Sequence, residues 1–358
     1  MIILHIASIK DSPTNGVCVL VPKLIETQSK LATTGLLNFN EYPLDGETKC
    51  FTYSKPFLLA QLEKPFNKPD LVVFHQVYNT EYIKIAKALR KQNIPYVILP
   101  HGSLTMEAQR SKRLKKFFGN IIFNPFIKNA SAIQFMTEKE MNSSKTSALK
   151  FVGRSGWTIP DKSKHSFSDK KIKFVYIGRL EYHIKGLDIM LDAFKLLMNS
   201  SYKDTCELCI YGPDYQGRYA HVEQMISERS LNELVKLNPP VFDKEKEDVL
   251  LESDVFIQTS RSEALTLGIL EALSYGLPCL VTPGTTWGDS ITKYNAGWVA
   301  DPTPQSVFEN IARAIDERKT FNEKSINAIK LVGENFSWEK SSRDIVEHYR
   351  NIVDDKGN

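Results

Sequence analysis

Several features that define whole classes of protein are missing from this sequence of 358 residues. No apolar run reaches the roughly 20 residues that a helix needs to span a bilayer. The first segment, Met1–Ala7, has no basic flank and no cleavage site, so it predicts a first strand rather than a signal peptide. The five cysteines are few and odd in number, which indicates reduced thiols rather than a disulfide framework. We therefore expect a cytoplasmic protein.

Ligand-binding signatures of other large protein classes are missing as well. The sequence has no Gly-x-Gly, which argues against a nicotinamide-dependent oxidoreductase, and it has no phosphate-binding P-loop. The formal net charge of +4 is mild and does not indicate a nucleic-acid partner. With 42% hydrophobic and 25% charged residues the composition is that of a globular protein, and the length favours two domains.

Strand-like and helix-like segments alternate along both halves of the chain, which predicts parallel, doubly wound sheets. The predicted strands of the first half are Ile2–Ala7, Leu36–Asn40, Asp70–Gln76, Tyr96–His101 and Ala132–Thr137. Those of the second half are Lys173–Gly178, Glu207–Tyr211, a short strand near Val235, Asp254–Thr259 and Leu277–Thr282. We expect an α/β fold of two Rossmann-like domains facing a cleft, over residues 1–160 and 161–337, with the polar stretch 153–171 as the linker.

The stretch 260–283 predicts a polar loop, a helix over 267–275 and a strand. The unpaired amides at the start of that helix favour an anion, and Gly268 lets a phosphate approach the backbone closely. Because carboxylates repel phosphate, Glu263 and Glu271 are better suited to accept hydrogen bonds from hydroxyl groups. The alternative is that Glu263 caps the loop and that Glu271 is a solvated helix residue. A ligand with phosphates in the middle and hydroxyls at both ends is a nucleotide sugar.

Glu263 and Glu271 have seven residues between them, with R-S-E before and E-A-L-S-Y-G-L-P after. This pattern resembles the Glu-x7-Glu signature of retaining glycosyltransferases with the GT-B fold, family four. The resemblance implies that Glu263 is a catalytic residue that contacts the donor sugar and that Glu271 binds the ribose hydroxyls. It also places Leu267 and Gly268 in the donor site. The implied substrate is a nucleotide sugar such as a UDP- or GDP-sugar, with no cofactor.

Arg179 and Lys185 resemble the two cations that hold the donor diphosphate in this family. They stand in G-R-L-E-Y-H-I-K-G, where Gly178 allows a tight exit from the preceding strand. The alternative is a pair of solvated cations. Glycosyltransferases of the other main fold often hold a divalent ion with Asp-x-Asp, and this sequence has no such triplet. We expect no metal, with the leaving-group charge neutralised by these cations and by helix amides.

Two segments of the first domain also resemble family elements. His101 and Gly102 follow a predicted strand and resemble the family's His-Gly pair, whose imidazole lies near the donor sugar. A purely structural histidine at the strand end is the alternative. Gly16, in D-S-P-T-N-G-V, resembles the glycine loop near the diphosphate and acceptor, although two adjacent glycines are common there.

The segment 107–118 ends in R-S-K-R-L-K-K-F-F, a set of cations interleaved with apolar residues. It suits an anionic membrane surface, and a solvated charged face is the alternative. The family resemblance implies a glycan or lipid-linked acceptor, surface-polysaccharide (O-antigen or capsule) biosynthesis, and peripheral contact with the inner face of the membrane. The C-terminal segment, about 338–358, resembles the last helix of GT-B enzymes, which packs back on the first domain.

Two other functions fit the same resemblance. A GT-B sugar-nucleotide epimerase converts its substrate without an acceptor. A non-catalytic sugar-nucleotide-binding protein keeps the fold and turns over nothing.

Overall fold

The computed structural model describes residues 1–12, 15–42, 48–55, 57–110, 113–164, 166–214, 217–263 and 266–355, without the side chains of residues 107, 110 and 113–118. The chain divides into two compact units. Unit 1 comprises Met1–Gly156 and Phe336–Asn358, and unit 2 comprises Trp157–Asn335. In the described part of the chain, no helix combines the length and the apolar character that a bilayer span requires.

Unit 1 is built on a parallel sheet, with seven strands among the described residues. They are β1 (Ile2–Ala7), β2 (Thr33–Asn38), β3 (Lys49–Thr52), β4 (Leu71–His75), β5 (Tyr96–Leu99), β6 (Ala132–Phe135) and β7 (Lys150–Val152). Their order across the sheet is β3-β2-β1-β4-β5-β6-β7. The chain order reverses between β1 and β4, which creates a topological switch point at the carboxyl ends of these strands.

Helices cover both faces of this sheet. They are α1 (Gly16–Ser29), α2 (Thr80–Lys91), α3 (Met106–Arg110), α4 (Arg113–Lys128), α5 (Glu138–Ser143) and, at the end of the chain, α13 (Trp338–Asp354). α13 begins after Ser337, whose hydroxyl accepts from the amide of Lys340. It packs against α1, where the Ser342 hydroxyl donates to the Thr27 hydroxyl at 2.8 Å.

Unit 2 is built on a second parallel sheet, of six strands within the described ranges. They are β8 (Ile172–Ile177), β9 (Cys206–Tyr211), β10 (Val235–Asn238), β11 (Val255–Gln258), β12 (Cys279–Val281) and β13 (Gly297–Val299), in the spatial order β10-β9-β8-β11-β12-β13. The helices are α6 (Leu187–Met198), α7 (Arg218–Glu228), α8 (Asp243–Glu252), α9 (Leu267–Ser274), α10 (Gly288–Tyr294), α11 (Pro304–Asp316) and α12 (Phe321–Asn335). The switch point of this sheet lies between β8 and β11.

The predicted α/β fold class is confirmed, because both units are parallel sheets flanked by helices. Central strands such as β4 are buried on both faces, which explains why they are continuous apolar runs in the sequence. The strands β3, β7 and β13 were not predicted; each is only three or four residues long and partly exposed. The strand predicted to reach His101 ends at Leu99, so His101 lies in the following turn.

Candidate active site

Two loops of unit 2 start from the switch point of its sheet. β8 and β11 are parallel neighbours, so the segments that follow them leave from the same sheet edge. Gly178 and Arg179 follow β8, and the loop over residues 259–266 follows β11 and leads into α9. Residues 264 and 265 of this loop lie outside the described residues. In parallel α/β sheets this edge is where ligands bind.

The carboxylate of Glu263 is paired with the ammonium of Lys185. Nζ of Lys185 lies 2.5 Å from Oε1 of Glu263, and the two side chains are 12% and 15% exposed. The Ser260 hydroxyl donates to the same Glu263 oxygen at 3.1 Å. Sheltering from water strengthens the attraction between these charges and makes either one costly to leave unpaired. The residue predicted to bind the phosphate, Lys185, and the residue predicted to contact the sugar, Glu263, are therefore in direct contact.

A second ion pair, which sequence reasoning missed, ties the two loops together. The guanidinium of Arg261 makes two parallel hydrogen bonds with the carboxylate of Asp188, both 2.7 Å long. Burial opposes ionisation of Asp188, but the bonds from Arg261 outweigh it and the pKa of Asp188 is lowered. The amide of Arg261 also donates to the carbonyl of Ile184 at 2.8 Å. Arg261 stands beside Glu263 in the R-S-E pattern, but its partner is 73 residues away in sequence.

Gly186 allows the backbones of the two loops to touch. Its φ is +68°, and a Cβ at this position would lie 2.0 Å from the carbonyl oxygen of Thr259. The Thr259 hydroxyl in turn donates to the carbonyl of Gly186 at 2.7 Å. Only glycine fits both the left-handed backbone and the contact. The segment that carries Lys185 is therefore fixed directly to the loop that carries Glu263.

Tyr176 is a buried side chain beneath the site. Its hydroxyl donates to the carbonyl of Arg179 at 2.9 Å. Burial raises the pKa of Tyr176 well above its usual value, the charge of Glu263 adds to the rise, and the charge of Arg179 opposes it. The charges of Glu263 and Arg179 thus both act on one hydroxyl. Arg179 itself is exposed at the end of β8.

Among the described residues, no side chain caps the N-terminus of α9. The residue before the helix, Thr266, makes no side-chain cap and donates its hydroxyl to the carbonyl of Thr285 at 3.2 Å instead. The amides of the first helical residues, Leu267 and Gly268, have no intrahelical partner. A Cβ on Gly268 would lie 3.3 Å from the carbonyl of Ile177, so this helix end sits close to the end of β8. Such a terminus favours an anion.

Glu271, one turn into α9, has a different cationic partner from Glu263. Its Oε1 lies 2.7 Å from Nζ of Lys246 on α8. The side chains of Lys246 and Glu271 are 27% and 19% exposed. The structure therefore places one predicted glutamate in the loop before α9 and the other on α9, and each is paired with a different lysine.

His101 and Gly16 lie in unit 1. His101 has a φ of +49° and Gly102 a φ of +80°, so both residues form a left-handed turn directly after β5. Nε2 of His101 lies 3.1 Å from Nδ1 of His75, a residue that sequence reasoning did not single out. Gly16 is the first residue of α1, behind the cap formed by Asn15. Residues 13 and 14 of its loop lie outside the described residues.

Comparison with known proteins shows a family match in the second half of the chain. Residues 159–331 match the family described as "Glycosyl transferases group 1". A D-inositol 3-phosphate glycosyltransferase of Arthrobacter sp. (strain FB24) is 22% identical over 184 residues, which cover 51% of this chain and 44% of that protein. The chain thus spans less than half the length of this curated relative.

Two solved structures share the fold over nearly the whole chain. A sucrose-phosphate synthase from Thermosynechococcus elongatus superposes with a TM-score of 0.76 at 15% identity, covering 98% of each chain. HepE from Anabaena, in complex with UDP, superposes with a TM-score of 0.75 at 17% identity, covering 98% of this chain and 100% of that one. The chain therefore has the fold of these two structures. The family match covers residues 159–331.

Proposed function

We propose that this protein is a retaining glycosyltransferase that moves a sugar from a nucleoside-diphosphate sugar to a glycan or lipid-linked acceptor. The observation that carries the proposal is the sheltered pair of Lys185 and Glu263 at the switch point where the N-terminus of α9 lies. A cation and the amides of a helix N-terminus suit a diphosphate, and a carboxylate suits sugar hydroxyls. The likeness to HepE, which was solved with UDP, supports a nucleotide ligand.

In this proposal Lys185, Arg179 and the first amides of α9 stabilise the departing diphosphate. The bond between the anomeric carbon and the β-phosphate oxygen breaks, and the acceptor oxygen bonds to the same face of that carbon. The acceptor proton passes to the leaving phosphate oxygen. Since no side chain is assigned as a covalent nucleophile, the barrier is lowered mainly by preorganised charge. Glu263 orients the donor sugar, and Glu271 accepts hydrogen bonds from the ribose.

We expect both ion pairs to rearrange when the donor binds. Lys185 would share its protons with a phosphate oxygen, which frees one lone pair of Glu263 for a sugar hydroxyl. Lys246 would keep Glu271 ionised while that carboxylate binds the ribose. Neither glutamate is left as an unpaired charge at any stage, which avoids the cost of burying one.

The donor is found by thermal-shift screening of UDP, GDP, ADP and their sugars, followed by transfer assays with and without EDTA. We expect one nucleotide family to raise the melting temperature, and transfer to proceed unchanged in EDTA. A 2′,3′-dideoxynucleotide should bind about 10–100-fold more weakly, because it cannot donate to the carboxylate of Glu271. Loss of activity in EDTA that is restored by magnesium or manganese would exclude the metal-free mechanism. Conversion of the nucleotide sugar without an acceptor would instead show an epimerase, and binding without turnover a binding protein.

We further propose that the acceptor is lipid-linked, that the pathway is surface-polysaccharide assembly, and that segment 107–118 contacts the inner face of the membrane. This segment's side chains lie almost entirely outside the described residues. The part of α4 that follows in sequence exposes the apolar side chains of Ile121 and Ile122, at 60% and 55%.

Liposome flotation tests the membrane contact. We expect the protein to float with anionic vesicles, and a variant with Lys112, Arg113, Lys115 and Lys116 changed to Glu to stay in solution, because charge attraction is reversed. The control reverses four cations of α2, at positions 84, 87, 90 and 91, which changes the net charge equally. Equal flotation of wild type and the first variant would remove the membrane contact.

A further inference from the structure

Unit 1 contains a cavity of about 690 Å³ beside α4. That volume lies within the roughly 300–1,000 Å³ that is usual for small-molecule sites. The residues that line it come from three stretches of unit 1: the segment 104–109 after β5, residues 120–128 of α4, and residues 145–147 before β7. We call it the α4 cavity.

The lysines of the α4 cavity lie away from the sheet edge where ligands of parallel sheets usually bind. Lys128 is the last residue of α4 and precedes β6, and Lys145 precedes β7. The segments that carry them therefore run towards the amino ends of these strands, whereas the usual ligand edge is at the carboxyl ends. None of the site residues predicted for unit 1 is among the described residues that line this cavity. The α4 cavity is thus a separate feature of this unit.

One wall of the α4 cavity is held in place by a closed ring of hydrogen bonds. Nε2 of Gln109 donates to the carbonyl of Ser103 at 2.6 Å and to the Tyr78 hydroxyl at 2.8 Å. Because a carbonyl only accepts, this contact fixes the orientation of the Gln109 amide, and its Oε1 accepts from Nδ2 of Asn120 at 2.8 Å. The Tyr78 hydroxyl donates to Oδ1 of Asn120 at 2.9 Å, which closes the ring. The second amide proton of Asn120 has no acceptor among the described residues.

Further hydrogen-bond donors line the α4 cavity beyond this ring. Asn124 and Lys128 follow Asn120 at four-residue intervals, so the three residues share one face of α4. The segment before β7 contributes a second lysine and a hydroxyl. Four side chains that line the cavity make no hydrogen bond or ion pair within the described part of the chain: Asn124, Lys128, Lys145 and Ser147. Their protons are therefore available to a ligand.

The charges around the α4 cavity favour an anion, and the side-chain types favour phosphate. Two of the described residues that line it are lysines and none is acidic. A lysine ammonium is a compact point charge that suits a phosphate oxygen, whereas a planar carboxylate is matched best by an arginine fork, which no described lining residue provides. Leu104 and Ile127, only 7% and 9% exposed, add apolar surface for the carbon atoms of a phosphate ester.

We propose that the α4 cavity binds the phosphate group of a phosphate ester. Lys128 and Lys145 balance the charge of the phosphate, and Asn124 and Ser147 donate hydrogen bonds to its oxygens. A soluble phosphate ester and a lipid headgroup both present this group, and the experiment below distinguishes the two sources. The site uses none of the residues assigned to glycosyl transfer, so it stands or falls independently of the proposed function.

Calorimetric titration of the full chain with glycerol 3-phosphate tests the soluble source. The cavity variant combines Lys128→Gln with Lys145→Gln, and the control combines Lys87→Gln with Lys91→Gln, which removes the same charge from exposed positions of α2. We expect the cavity variant to bind about tenfold more weakly or worse, because it loses two charge-assisted hydrogen bonds, and the control to stay within about a factor of two of wild type.

A single substitution on α4 provides an independent check on the same site. Asn124→Asp is nearly isosteric and places a carboxylate against the bound phosphate, so it should weaken binding of glycerol 3-phosphate by about tenfold as well. Melting temperatures of all variants show whether they fold.

Flotation with vesicles of phosphatidic acid in phosphatidylcholine presents the same phosphate group on a lipid. Weaker flotation of the cavity variant than of the control identifies a headgroup ligand, and weaker binding of glycerol 3-phosphate alone identifies a soluble ester. The proposal is overturned if the cavity variant and the control match in both assays, or if wild type binds neither probe. It is also overturned if acetate binds wild type as tightly as glycerol 3-phosphate does.

Discussion

Replacement of Lys185 by methionine is expected to lower kcat/KM for the nucleotide sugar by about 10²–10³-fold, which is the usual cost of removing one preorganised group that stabilises a departing anion. Methionine keeps an unbranched side chain of similar length but removes the charge that lies 2.5 Å from Glu263. Most of the loss should appear in kcat, because charge on the diphosphate develops as the sugar bond breaks. Steady-state kinetics with the donor varied at saturating acceptor separate the two parameters.

The control is Lys236→Met, the same substitution in an exposed ion pair with Glu207 at 2.7 Å on the same unit. It should leave kcat/KM within a factor of two, since exposed pairs contribute little. Lys185→Arg should recover part of the activity, because it keeps the charge but not the compact ammonium. If Lys185→Met and Lys236→Met had the same turnover, Lys185 would have no part in catalysis.

A double substitution distinguishes catalysis from simple stabilisation of the loop. Lys185→Met leaves the half-buried carboxylate of Glu263 without its cation, which destabilises the site for a reason unrelated to the leaving group. Adding Glu263→Gln removes that unpaired charge. We expect the melting temperature to recover in the double variant while kcat stays low. Recovery of kcat together with stability would mean that Lys185 acts only through Glu263.

Local sequence patterns were enough to predict most of the sheet. Central strands such as β1, β4 and β8 are buried apolar runs, and burial on both faces is what makes them visible without a structure. The missed strands β3 and β13 lie at sheet edges, where only one neighbour constrains the residue pattern. A run of three or four half-buried residues carries too little periodicity to tell a strand from a loop.

In the candidate site, too, some residues could be predicted from local sequence patterns and others could not. Lys185 and Glu263 could be predicted because each stands in a contiguous pattern, and the structure then shows that they form a pair. The hydrogen-bonded line of His5, His75 and His101 could not be predicted, because the three residues are far apart in sequence and each one lies in or just after an apolar strand. Only the register of β1 beside β4, in which His5 lies opposite Val73, brings two of the rings within hydrogen-bond reach. Chemistry that depends on strand pairing is not visible in any single segment.

Gly186→Ala is expected to have the second large effect, and the chain provides a matched control in Gly217. Both glycines precede a helix, α6 and α7 respectively, with φ values of +68° and +74°. Alanine at either position should lower the free energy of unfolding by about 1–2 kcal/mol, because the left-handed backbone is unfavourable for a residue with a Cβ. At Gly217 no described residue lies within 4 Å of the new Cβ, whereas at Gly186 the Cβ would lie 2.0 Å from the carbonyl oxygen of Thr259.

The clash must push apart the two loops that hold Lys185 and Glu263. We therefore expect Gly186→Ala to lower the free energy of unfolding by roughly a further 1–3 kcal/mol and to lower kcat/KM at least tenfold. Gly217→Ala should lose only the backbone contribution and keep its turnover, because none of the described residues lies within 4 Å of its new Cβ. Native-state hydrogen exchange of the β11 and α6 amides measures the local stability, and donor kinetics measure the site. Equal losses in the two variants would mean that the contact between Gly186 and Thr259 does not position these side chains, since backbone strain alone would then explain both.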